Sequence, residues 1–170
     1  MKENRKKREK SISATAGPAI SKRILLADDN KAIRDLVSGF LKFIGYEVAI
    51  AINGIEALAV FLASSFDLVL TDLEMPAMDG LSLAGHIKER SPNTPVILLT
   101  GADRETVLKK LEKGPVDSVI FKPFMMEDLQ RTVQKALASR EREYVSGGGG
   151  ATSFAGRPPE HNLYLRQKRI

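Results

Sequence analysis

Residues 68–80 read LVLTDLEMPAMDG: an apolar run, Leu68-Val69-Leu70-Thr71, that stops on Asp72 and gives way to a loop broken by Pro76 and Gly80. A short run of Val and Leu without polar alternation is the pattern of a strand buried on both faces, as in a parallel sheet covered by helices. Three further runs have the same form. Ile24-Leu25-Leu26-Ala27 ends in Asp28-Asp29, Val96-Ile97-Leu98-Leu99 ends in Thr100, and Val119-Ile120-Phe121 ends in Lys122. Open parallel sheets bind ligands at the carboxyl ends of their strands, so these residues are expected to meet at one edge as three carboxylates, a hydroxyl and an amine.

Helical patterns fill the intervals. Asn30 is placed to cap a helix whose apolar positions Ile33, Leu36, Val37, Phe40, Leu41 and Ile44 follow the three-and-four spacing of a buried face, and Gly45 ends it. A strand is expected over 47–52, then Asn53-Gly54 opens a helix with Leu58, Phe61 and Leu62 inward. Further helices are expected over about 81–90, 104–113 and 126–140, the last with Leu129, Val133 and Leu137 on one side. Five strands alternating with five helices predict a doubly wound α/β domain with a five-stranded parallel sheet.

The composition narrows the function classes. With 170 residues and no cysteine, the chain is expected to hold one domain with some tail, and it can form neither a disulfide framework nor a thiolate metal site. No apolar stretch reaches the roughly 18 residues of a membrane span, and no apolar signal core follows the basic N-terminus, so a cytoplasmic protein is expected. The formal net charge of +5 is unevenly spread. Residues 1–10 hold six Lys or Arg against two Glu and residues 139–170 six against three, which leaves 14 basic against 16 acidic residues between them. The basicity belongs to the ends: residues 1–21 read as a disordered lead-in, 22–140 as the domain, and 141–170 as a flexible linker containing Gly147-Gly148-Gly149-Gly150 and a basic tail.

Taken singly, an Asp-Asp pair after a strand is more often a solvated turn or a helix cap than a metal site. Convergence at four strand ends changes that. Magnesium favours hard oxygen ligands and retains several waters, so it suits carboxylates at a strand edge. Beside such an ion Asp72 is a plausible nucleophile for phosphoryl transfer, with Lys122 as a point charge and Thr100 as a hydroxyl donor for phosphoryl oxygens. Catalysis by positioning and charge neutralisation needs neither of the chain's histidines, His86 and His161.

Residues from about Arg23 to Ala138 resemble a response-regulator receiver domain of two-component signalling, through LLADDN (25–30), VLTDLEMPAMDG (69–80), LLTG (98–101) and FKPF (121–124) in the family's order and spacing. The resemblance implies a flavodoxin-like (βα)5 three-layer sandwich. It implies that Asp72 accepts a phosphoryl group from a phosphohistidine on a histidine kinase or phosphotransfer protein. Mg2+ would be held by Asp28, Asp29, Asp72 and the main-chain carbonyl of Glu74, while Thr100 and Lys122 would bind phosphoryl oxygens. A cis Lys122-Pro123 bond is a further implication of the family; the domain is read either as stand-alone or as part of a larger chain with an output domain or target protein, and a homodimer is compatible with either. One position departs from its pattern: Val119 stands where many receivers carry an aromatic residue that couples to the threonine, so a weaker or different side-chain readout is expected. Glu74, two residues after the acceptor, is read either as a solvated loop charge, the commoner case for a single Glu in a loop, or as a group that influences the attacking water and hence the lifetime of the phosphoryl group.

Two rivals compete with this reading. Phosphatases of the haloacid-dehalogenase type also use an aspartate, Mg2+, a Thr or Ser and a Lys, but their nucleophile stands on the first strand and their acid pair comes late, the reverse of the order here. Nucleic-acid binding through the basic tails is the other; the roughly 25 residues after Tyr144 are too few for a DNA-reading domain.

Overall fold

The computed structural model describes residues 21–111 and 114–146. Its five strands are β1 (Arg23–Ala27), β2 (Glu47–Ala51), β3 (Leu68–Asp72), β4 (Val96–Thr100) and β5 (Ser118–Phe121), and the helices that alternate with them are α1 (Lys31–Phe43), α2 (Gly54–Ala63), α3 (Gly80–Arg90), α4 (Arg104–Leu111) and α5 (Met126–Ser146). All strand pairs are parallel and the order is β2-β1-β3-β4-β5. This is the doubly wound sheet that the apolar runs predict.

Side chains alternate across each strand, so the central strands feed two separate cores. Leu25, Val69 and Leu98 face α2, α3 and α4, where Phe61, Leu83, Ile87 and Val107 close the layer. Ile24, Leu26, Leu70, Ile97 and Leu99 face α1 and α5, meeting Val37, Leu41, Leu129, Val133 and Leu137. β3 and β4 are buried along their whole length, which is why their sequences carry no polar alternation.

All five helices begin at the carboxyl edge of the sheet, and the starts of α1 to α4 are each capped by a side chain. Asn30 accepts the Ala32 N–H (2.9 Å), Asn53 the Glu56 N–H (2.8 Å), Asp79 the Ser82 N–H (2.7 Å) and Asp103 the Thr106 N–H (2.9 Å). Glu56 returns a bond to the Ile52 N–H at 2.8 Å, fixing the entry into α2 from both sides.

Three expectations are corrected. Leu36 and Leu62 are more than half exposed, because a helix lying on a sheet buries only one narrow stripe and that stripe is filled by Val37 and Leu41 in α1 and by Ala57 and Phe61 in α2. The residues of α5 do not stop at Arg140: the helix continues to Ser146, since Glu141 to Ser146 contains no glycine or proline, and the first six residues of the expected linker are helical. The rest of that linker and tail, the lead-in up to residue 20, and the expected end of α4 at 112–113 lie outside the described residues. Among the described residues no helix is long and apolar enough to cross a membrane.

The loop after β3 folds back on the strand it leaves. Ala77 adopts a positive φ of 69° in a tight turn closed by the Met78 N–H on the Pro76 carbonyl (2.8 Å), and Gly80 then donates its N–H to Leu73 O at 2.9 Å. A Cβ on Gly80 would lie 2.0 Å from the Asp72 carbonyl oxygen. Backbone contact of this kind cannot relax by a rotamer change, so Gly80→Ala is expected to lower stability by about 2 kcal/mol in urea denaturation. An unchanged midpoint would show that the loop is free to move away from Asp72.

Candidate phosphoryl-transfer site

The register of the sheet brings the strand ends level. Ala27 pairs with Thr71, Asp72 with Leu99, and Thr100 with Phe121, so Asp28, Asp72, Thr100 and Lys122 all emerge at the carboxyl edge of adjacent strands. Lys122 closes the group: its Nζ donates to Asp28 Oδ2 and to Asp72 Oδ1, both at 2.8 Å. Asp28 is fully buried, Asp72 is 8% exposed and Thr100 is 1% exposed.

Main-chain donors take the other carboxylate oxygens. The Asn30 N–H donates to Asp28 Oδ1 (2.8 Å) and the Glu74 N–H to Asp72 Oδ2 (3.0 Å). Thr100 Oγ1 accepts the Ala102 N–H at 3.0 Å, which orients the hydroxyl at the start of the loop into α4. Lys122 N–H donates to Thr100 O (2.7 Å), and the Lys122–Pro123 peptide is cis.

One ammonium serves two carboxylates, and the pKa values move accordingly. Burial raises the Asp72 carboxyl above its ordinary value, the Asp28 charge adds to that rise, and the hydrogen bond and charge of Lys122 offset only part of it. For Lys122, burial acts to lower the pKa, but the hydrogen bonds and charges of Asp28 and Asp72 outweigh it and hold the amine above its ordinary value. Asp72 is thus poorly solvated, and the amine stays protonated.

Asp29 is exposed beside Asp28, and Glu74 is exposed in the loop after Asp72. Among the described residues no three acidic or histidine side chains stand close enough to chelate an ion by themselves. The donor set nonetheless fits magnesium. It is all oxygen, carries three carboxylates against one ammonium, and places two of those carboxylates together, leaving the remaining positions to main-chain oxygen and water as this ion prefers.

Two contacts at this edge have no counterpart in the sequence reading. Arg34 Nη1 donates to the main-chain carbonyl of Asp28 at 2.7 Å; the only hint in the sequence is a basic residue four positions after a helix cap. Arg104, at the start of α4, sets its guanidinium over the Phe121 ring, 4.4 Å from the centroid. Val119 is buried in the α2–α4 layer, so on β5 the ring nearest the Lys122 end of the strand is that of Phe121, which pairs with Thr100.

Removing the shared ammonium leaves two buried carboxylates facing each other. Lys122→Met is therefore expected to cost about 3 kcal/mol at neutral pH, as for a broken buried ion pair. Without Lys122 the Asp72 carboxyl is raised further in the folded state, so the folded variant binds more protons than the unfolded chain over the acidic range and its stability falls as pH rises through that range. Urea denaturation at pH 4.5 and pH 7.5 should show a smaller deficit at the lower pH. An equal deficit at both would mean that the lysine acts by packing.

Comparison with known proteins agrees with this geometry. The sequence pattern of the family described as response regulator receiver domain matches residues 24–134. The transcriptional regulatory protein ZraR of Salmonella typhimurium is 38% identical over 116 residues, covering 68% of this chain and 26% of ZraR. The regulatory protein AtoC of Escherichia coli is 40% identical over 116 residues, covering 68% of this chain and 25% of AtoC. The chain thus spans about a quarter of the length of these two curated relatives. Among solved structures, a CheY-like receiver domain protein from Methanospirillum hungatei aligns with a TM-score of 0.67 and 36% identity, over 72% of this chain and 98% of that one. The response regulator TrrA of Thermotoga maritima, solved in complex with Mg2+ and BeF, aligns with a TM-score of 0.63 and 37% identity, over 68% of this chain and 98% of its own. With a family match over most of its length and all four motifs at one strand edge, this chain belongs to the response-regulator receiver domains of two-component signalling.

Proposed function

We propose that Asp72 is the phosphoacceptor of a two-component phosphorelay, loaded from a phosphohistidine on a histidine kinase or phosphotransfer protein. The observation that supports this reading is the Lys122 ammonium held at 2.8 Å from both Asp28 and Asp72, of which Asp72 is the less buried and so the one a donor could reach. In the transfer an Asp72 carboxylate oxygen forms a bond to phosphorus while the bond from phosphorus to the donor imidazole nitrogen breaks, and the imidazole leaves with the bonding pair. Poor solvation of Asp72 leaves its lone pairs less tied up by water. Lys122, bonded to Asp72, and the Thr100 hydroxyl at the end of the neighbouring strand would take the phosphoryl oxygens.

Mg2+ bound by Asp28, Asp29, Asp72 and the main-chain carbonyl of Glu74 would supply the charge neutralisation that lets an anionic nucleophile meet an anionic donor. Phosphorylation then adds negative charge at the Thr100 edge and biases the segment from Thr100 through α4 to β5 between two arrangements, the step that an output domain or target protein would read. On this reading the protein is a signalling acceptor that takes up about one phosphoryl group per chain, without turnover of a free substrate.

Acetyl phosphate with Mg2+ should give acid-stable, base-labile label at close to one equivalent in the wild type and none in Asp72→Asn. Label persisting in the variant would move the acceptor, and many turnovers per chain would favour the phosphatase reading. Glu74 stands exposed beside the acceptor, so Glu74→Asn is expected to change the dephosphorylation rate several-fold with labelling stoichiometry intact; an identical lifetime would leave Glu74 as a solvated loop charge.

A further inference from the structure

Asp28 is restrained at every polar atom. Its N–H donates to Ala51 O (3.3 Å), Oδ1 accepts the Asn30 N–H (2.8 Å), Oδ2 accepts Lys122 Nζ (2.8 Å), and its carbonyl accepts Arg34 Nη1 (2.7 Å). The last bond differs from the others because it acts on the peptide that leads to Asp29. Peptide units are planar, so fixing the direction of the Asp28 carbonyl also fixes the N–H and Cα of Asp29. Asp29 itself is exposed, and the Asp28 carbonyl is where side-chain leverage on its backbone is visible.

Arg34 is well anchored for this task. It lies in the first turn of α1, its own N–H bonds to Asn30 O at 3.0 Å, and Asn30 both caps the helix and bonds back to Asp28. The acid pair and the first turn of α1 are thereby tied into one ring of hydrogen bonds that the Arg34 side chain closes. We propose that Arg34 is a positioning residue for the metal-binding acid pair: it orients the Asp28–Asp29 peptide so that the Asp29 carboxylate is presented at the mouth of the site. This role rests on the phosphoacceptor reading above.

The sign of its effect separates positioning from simple charge. A guanidinium beside an acid pair repels a divalent cation, so if Arg34 acted only through charge, its removal would tighten metal binding. If it positions Asp29, removal loosens the ligand and weakens binding, as loss of groups that orient metal ligands does elsewhere. The two effects predict opposite changes in one measurement.

Binding of Mn2+ alone, followed by electron paramagnetic resonance on the full chain, reads this without any phosphoryl donor. Arg34→Gln is expected to weaken Mn2+ binding about tenfold with little change in thermal midpoint, and Arg34→Lys, which retains one donor for the carbonyl, to fall between it and the wild type. Should Arg34→Gln melt too early to assay, Arg34→Ala takes its place under the same criterion. Unchanged or tighter binding overturns the role. Wild type and Asp29→Asn binding Mn2+ alike would remove both the metal site at this edge and Arg34's part in it, whereas loss of acetyl phosphate labelling in Asp72→Asn is judged separately. Binding weakened in Asp29→Asn but not in the Arg34 variants drops Arg34 alone.

Discussion

The Lys122 ammonium, shared by Asp28 and Asp72, is the contact on which the carboxyl edge of this sheet depends. Two carboxylates at neighbouring strand ends repel, and burial makes the repulsion stronger by removing water. A single lysine reaching across from β5 offsets it, and in doing so ties the first, third and fifth strands of the chain together over 94 positions of sequence. The compensation is incomplete, which is the point of the arrangement. Asp72 remains above its ordinary pKa while Lys122 is firmly charged, and two carboxylates against one ammonium leave the edge short of positive charge, a setting that suits a divalent cation.

That arrangement works only on a rigid platform. β3 and β4 are wholly buried, with one core on each face, and their ends cannot shift without disturbing both layers. The loops above them are pinned where they leave the sheet, by the Asn and Asp caps of four helices and by the approach of Gly80 to the Asp72 carbonyl. The turn at Ala77 holds a non-glycine residue at positive φ in the same loop, a conformation that persists because Pro76, Met78 and Gly80 fix the backbone around it.

Much of this was legible in the sequence. Buried parallel strands declare themselves as unbroken apolar runs, and the residue ending each run is at the carboxyl edge whatever the details of packing, so Asp28, Asp72, Thr100 and Lys122 could be placed together from order alone. Helix faces were read less well, because three-and-four spacing gives a stripe wider than a sheet can cover; hence Leu36 and Leu62 on the outside. The end of α5 was misplaced for a related reason, the sequence having no stop signal until Gly147. Arg34 was missed because a bond from a side chain to a main-chain carbonyl carries no spacing signature.

Capture of a phosphoryl group and its reporting place different demands on the chain. Capture needs a few charged and hydroxyl groups at fixed strand ends, and the parallel register supplies them with little freedom. Reporting needs an element with two arrangements, and here the usual aromatic position on β5 is the buried Val119, which has no polar or stacking partner to exchange. The aromatic ring lies instead at Phe121, paired with Thr100 in the sheet and covered by Arg104 from the first turn of α4. Any inward movement of the Thr100 loop carries Arg104 with it, since only Gly101, Ala102 and Asp103 separate them. The Arg104–Phe121 contact, worth about 0.5–1 kcal/mol at a partly exposed site, is weak enough to exchange and placed where such a movement would break or remake it.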